Sequence, residues 1–135
     1  MKHRIKFVKQ LTPSSCGIAV VASLANKSHT EIKKLYIKLI WNNKDPKNYY
    51  SYLTQMVKVL KNLKIKSALN HTTSNNWNDL PDVAVARILY KNGCGHFCIF
   101  FRDENNRKYL YDPYLNKIRK DFYRLNLTHY LPIYL

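Results

Sequence analysis

Residues 18–25, IAVVASLA, carry a single polar side chain, Ser23. An α-helix through them has almost no face to give to water, so it belongs at the centre of a fold rather than on its surface. The approach to it is of the opposite kind. KQLTPSSC is polar, contains Pro13, and offers Ser14 and Ser15 as N-caps, which predicts a helix beginning near Cys16. The rest of the chain must be built around that helix, with a thiol at its mouth.

Two further helices are predicted. Ser28 and Glu31 form an S-x-x-E capping box. Behind it Ile32, Leu35, Tyr36, Leu39 and Ile40 recur at helical spacing, with Lys33, Lys34 and Lys38 on the other face. NNKDPKN breaks this helix, and Leu53, Met56, Val57, Leu60 and Leu63 trace a third over about 49–62. After Lys64 the texture changes. IKSAL is short and alternating, and NHTTSNNWNDLPD is a long polar loop. VAVARILY, HFCIFF, KYLYD and the terminal LPIYL are rich in β-branched and aromatic residues, as strands are, and RDENNRK suits a hairpin connection. RKDFYRLN is compatible with a helical turn or a loop. Helices first and antiparallel strands after predict an α+β fold, an N-terminal helical lobe packed on a C-terminal sheet. With no repeat and no linker, residues 1–135 are expected to form a single domain.

Composition narrows the possible functions. Residues 1–9 mix basic and apolar side chains without the continuous apolar stretch of a signal peptide. No apolar segment approaches the length needed to cross a bilayer. Both predict a cytoplasmic protein, with origin in a longer secreted or membrane-associated chain left open. Three cysteines leave at least one unpaired and are expected to be free thiols. The formal charge of +15 fits either a polyanionic partner or a solvated lysine-rich surface. The lysines are scattered, with no like-charge run resembling a tail, which favours the surface.

Cys16 is the candidate nucleophile, because a helix N-terminus favours the thiolate and a thiol attacks only in that form. Gly17 would let the chain pass close to a docked molecule. A base must accompany the thiol, and histidine is the usual one. His3, His29, His71 and His129 fall in terminal, capping or polar segments and suit surface or packing roles. His96 opens HFCIFF directly after NGCG, at the rim of the sheet. If RDENNRK is the hairpin tip, Asp112 in YLYDP reaches the same edge, where a carboxylate can orient the imidazole. Pro113 then ends the strand. Gln10, six residues before Cys16, could offer an amide to a developing oxyanion beside the Cys16 N–H. Each residue alone has an ordinary structural reading. Cys94, His96 and Cys98 alternate and would share a strand face, yet zinc needs a fourth ligand and wider spacing, so no metal and no cofactor is expected. Cys98 is expected to be a core thiol beneath the histidine, and Cys94 a loop residue.

KFVKQLTPSSCGIAVVASLA, GHFCIFF and YLYDP together resemble the double-glycine leader peptidases, a papain-like cysteine peptidase family found in bacteriocin-exporting ABC transporters and in stand-alone proteins. LPDVAVARIL is also similar to the strand leading into that family's histidine segment. The likeness spans nearly the whole chain and implies a papain-like fold. It also implies a Cys16–His96–Asp112 triad with Gln10 as oxyanion donor, and cleavage after small residues of the Gly-Gly type. A more basic charge than expected of the family, and IAVVAS where a second small or cysteine residue is frequent, set this chain apart. A second reading keeps the fold and makes it a toxin or effector, a protease or deamidase acting on a protein of a rival or host cell. An acidic inhibitor or immunity protein would then be its partner. A third is a basic nucleic-acid-binding module or ribonuclease; no compact basic–aromatic RNA motif supports it.

Overall fold

The apolar run lies at the centre of the molecule, as its composition demands. In the computed structural model, which describes residues 5–135, it forms α1 (Cys16–Ala25), buried from Cys16 to Leu24. Helix α2 (His29–Leu39) follows the predicted capping box: the Glu31 N–H donates to Ser28 Oγ and the Ser28 N–H to Glu31 Oε1. Helix α3 (Leu53–Asn62) starts four residues later than its hydrophobic spacing suggests. The chain before it stays extended, and the Tyr52 N–H donates to Gln55 Oε1 at 2.9 Å, which sets the start. Ser15 occupies the N-cap of α1 without capping it. Its hydroxyl bonds to the Thr12 backbone instead, while Ser14 Oγ accepts the Tyr49 N–H. No helix among the described residues is long and apolar enough to cross a membrane.

The remaining elements are β1 (Lys66–Ser67), β2 (Thr72–Thr73), a 3-10 turn (Trp77–Asp79), β3 (Val83–Leu89), β4 (Gly95–Arg102), β5 (Lys108–Asp112), β6 (Lys117–Arg119) and β7 (Asn126–Tyr134). The strands form an antiparallel sheet in the order β1-β7-β3-β4-β5-β6, with β2 also on β7. Residue alternation divides its core in two. Val83, Val85, Phe97, Ile99, Phe101, Leu131 and Ile133 pack with the helices. Ala84, Ala86, Ile88, Cys98, Phe100, Leu110 and Leu127 pack on the other face with Trp77 and Phe122. Burial on both faces explains why these strands read as nearly continuous apolar runs.

Two segments depart from their polar appearance. The long loop contributes β2 and a buried Trp77, whose ring packs edge-on against Phe122 and whose Nε1–H donates to Leu125 O. RKDFYRLN forms no helix: it runs from the end of β6 through turns to β7 and buries Phe122. The last strand is nine residues long, reaching well before LPIYL.

Candidate active site

The loop before α1 is stitched to the sheet at one point. The Gln10 N–H donates to Pro113 O at 3.0 Å, which brings residues 10–16 to the exit of β5. Gly17 sits so close to the segment before α3 that a Cβ there would lie 2.8 Å from Ser51 Cβ. Its smallness therefore serves the protein's own packing, and the close neighbour is Ser51 rather than a docked molecule. Ser51 Oγ in turn hydrogen-bonds the buried Tyr36 hydroxyl at 2.8 Å. The first turn of α1 is clamped between the loop, α2 and α3.

His96 and Asp112 meet as the hairpin requires. In the β4–β5 register Ile99 pairs with Tyr111, so Asp112 falls opposite Cys98 and diagonal to His96, on one face. His96 Nε2 lies 2.8 Å from Asp112 Oδ1, and both side chains are buried. Oδ1 also accepts the N–H groups of Tyr114 and Leu115, an Asx-type turn after the strand. A carboxylate can only accept, so Nε2 carries the proton and Nδ1 is left for the thiol. Burial by itself pushes the His96 pKa down, but hydrogen bonding to Asp112, Cys16 and Cys98 outweighs it and leaves the ring above its usual value. Burial likewise pushes Asp112 up, and the His96 ring with the two backbone amides holds it below the usual carboxylate range.

Cys16 belongs to the helix-side core, whereas alternation puts His96 with Cys98 and Phe100 on the other face. The two still meet because His96 is the second residue of β4, at the rim where α1 begins. The thiol is near enough to help raise the pKa of the ring. Tyr90 covers the ring from outside, stacked at 5.7 Å. The hairpin KNGCG folds it back, with the Tyr90 N–H on Cys94 O and Gly93 at φ +86. Sequence reasoning missed Tyr90, although the turn signal that positions it was present.

Gln10 is buried beside this group, but its Nε2 donates to the carbonyls of Thr12 (2.9 Å) and Pro13 (3.3 Å), and its Oε1 has no partner among the described residues. The structure thus brings Cys16, His96 and Asp112 together and holds the Gln10 amide turned onto its own loop. His96, Cys98 and Asp112 offer three ligand atoms within 4.8 Å of one another. Two of the three are already committed otherwise: Nε2 of His96 binds Asp112 Oδ1, and burial pushes the Cys98 thiol up to about 11. Cys98 is the core thiol under the histidine and Cys94 an exposed loop residue, both as expected. His29 is buried at the start of α2, and His3 lies outside the described residues. His71 and His129, read as surface or packing residues, prove to line a cleft of about 540 Å³ with Cys16, Ser51, Phe97 and Arg87.

The sequence matches the model of the Peptidase C39 family over residues 4–127. The chain belongs to the Peptidase C39 family. The fold agrees: the peptidase domain of Streptococcus mutans ComA superposes with a TM-score of 0.57 at 21% identity, covering 93% of this chain and 98% of that one. No curated protein matches the sequence significantly. The protein is therefore a papain-like cysteine peptidase, and the likeness to the double-glycine leader peptidases holds. Peptides are its substrates.

Proposed function

We propose that this peptidase is an endopeptidase that cleaves after small residues of the Gly-Gly type, with Cys16 as nucleophile, His96 as base, Asp112 as its orienting partner and Gln10 as an oxyanion donor. The observation that carries the reading is the buried 2.8 Å His96–Asp112 pair beside a thiol at the start of α1. The Cys16 proton passes to His96 Nδ1, whose pKa is held above its usual value, and the thiolate sulfur then attacks the peptide carbonyl. The carbonyl oxygen becomes an oxyanion held by the Cys16 backbone N–H and by Gln10 Nε2. His96 then gives the proton to the departing amine, leaving an acyl-thioester. Water, deprotonated by His96, hydrolyses the ester and returns the thiol. Asp112 stabilises the imidazolium between these steps without taking its proton.

For Gln10 to serve, its amide must release the longer bond to Pro13 O and turn toward the substrate. Oε1 has no partner among the described residues to hold the amide on that side, which favours such a turn. Residues 1–135 act as one domain in this reading, supported by the tie of the N-terminal loop to β5. The charge of +15 leaves room for the toxin or effector reading, with an acidic inhibitor as partner.

The test is mass spectrometry of Gly-Gly peptides incubated with wild type, Cys16→Ala and Gln10→Ala. Wild type is expected to cut after the glycines and Cys16→Ala to leave the peptides intact. Gln10→Ala is expected to lower kcat about a hundredfold, roughly 3 kcal/mol of transition-state stabilisation, with little change in KM. Cleavage by Cys16→Ala would remove the thiol from the chemistry. Near-normal kcat in folded Gln10→Ala with a lowered Tm would make Gln10 a loop residue only.

A further inference from the structure

The cleft that holds Cys16 also holds positive charge that the proposed triad does not use. Arg87 on β3 pairs with Phe97 on one side and His129 on the other, and so faces the helix side of the sheet. Its Nη1 donates to Thr128 Oγ1 at 2.9 Å. Among the described residues no carboxylate pairs with its guanidinium. The His129 and His71 rings meet edge-to-face at 5.1 Å. All three line the same cleft as Cys16.

Gly95 leaves the room that the arginine head occupies. Its φ is not left-handed, unlike that of Gly93, so its backbone alone does not ask for glycine. A Cβ on Gly95 would meet Arg87 Nη2 at 2.6 Å and Cζ at 3.0 Å. The guanidinium therefore lies against the residue that immediately precedes His96. A planar fork of donors with no acidic partner among the described residues, in a cleft whose lining also includes Tyr50, Ser51, Leu53, Thr54 and Phe97, matches a carboxylate far better than a neutral side chain.

We propose that Arg87, flanked by His71 and His129, is a carboxylate-recognition site that selects peptide substrates carrying an acidic group near the cleaved bond. The proposal rests on the peptidase reading of Cys16. Two sources of the carboxylate are open to the same chemistry, an Asp or Glu side chain and the free C-terminus of a short substrate. Burial lowers the His129 pKa, with His71 and Arg87 adding to the effect, so this ring supplies a neutral hydrogen-bonding wall and Arg87 supplies the fixed charge.

The experiment uses a Gly-Gly peptide set in which each flanking position carries Glu, Gln or Lys, with either a free or an amidated C-terminus. Cleavage is quantified by mass spectrometry for wild type, Arg87→Gln and Arg87→Glu, with melting curves confirming that each is folded. Wild type is expected to favour Glu over Gln at one position by about tenfold in kcat/KM, through KM. The ratio falls to about one in Arg87→Gln and turns toward Lys in Arg87→Glu. Should both variants unfold, the wild-type preference must itself collapse in 1 M salt, where the Debye length is about 3 Å. A preference for the free over the amidated C-terminus supports the site with the terminal carboxylate as its ligand. A wild-type Glu/Gln ratio near one with no such end preference, or a ratio that survives in Arg87→Gln, overturns the proposal and leaves the peptidase reading intact. Absence of all cleavage overturns the Gly-Gly reading instead. Fluorescence anisotropy of the labelled peptides on wild type and Arg87→Gln then decides the carboxylate site by itself.

Discussion

Asp112 has no contact with solvent and still keeps a charge. One oxygen gathers the His96 ring and two backbone N–H groups, while the other has no partner among the described residues. The pair makes stability depend on pH in two directions. Asp112 is held below its usual range, so its contribution is complete above about pH 4 and is lost as pH falls through the depressed folded pKa. His96 is held above its usual value, so its contribution is complete below about pH 6.5 and declines as pH rises toward the raised folded pKa. Urea midpoints measured from acid to alkaline pH are expected to peak between roughly pH 4 and 6.5. Asp112→Asn is expected to lower that peak and flatten both flanks. A variant profile running parallel to wild type would mean that the pair contributes nothing to the pH dependence.

At the level of elements, the position of Cys16 depends on how α1 is clamped. Its own cap is weak, since Ser15 turns its hydroxyl back to Thr12. Tertiary packing does the work that capping does for α2, where Ser28 and Glu31 bond reciprocally. The tightest contact is Gly17 against Ser51. Gly17→Ala is expected to destabilise by about 1–3 kcal/mol through overpacking, despite alanine's better helix propensity. Adding Ser51→Gly removes the opposing Cβ and is expected to recover part of the loss, read as a coupling energy from urea unfolding of the four proteins. Additive effects would show that the clash is absorbed elsewhere.

Over the whole molecule, β7 ties the C-terminal segment to three strands from the middle of the chain. It pairs with β1, β2 and β3 at once and sits between β1 and β3 in the strand order. Its partners are distant in sequence, so the sheet cannot be complete until the last residues have docked. Deletion of residues 126–135 exposes the β3 edge and removes Leu127, Leu131 and Ile133 from the two cores. That variant is expected to lose cooperative thermal unfolding and sharp near-ultraviolet dichroism. Retention of a cooperative transition would show that β3, β4 and β5 form a sufficient core without it.

Local order was legible in the sequence because it is written in local terms. An unbroken apolar run marked α1, period and a capping box marked α2, β-branched runs marked β3 to β5, and the hairpin between β4 and β5 carried His96 and Asp112 to one edge. The α3 start, the buried Trp77 and the length of β7 were not legible. Each depends on partners far along the chain: Trp77 on Phe122 and Leu125, β7 on three separate strands. The same holds within the site. Cys16, His96, Asp112 and Gln10 could be named as candidates from residue type and spacing. Only tertiary structure turned the Gln10 amide onto Thr12 and Pro13 and put Ser51 against Gly17. It also brought Arg87, His71 and His129 into the cleft of Cys16. Side-chain direction and long-range pairing are set by packing, and no local pattern encodes them.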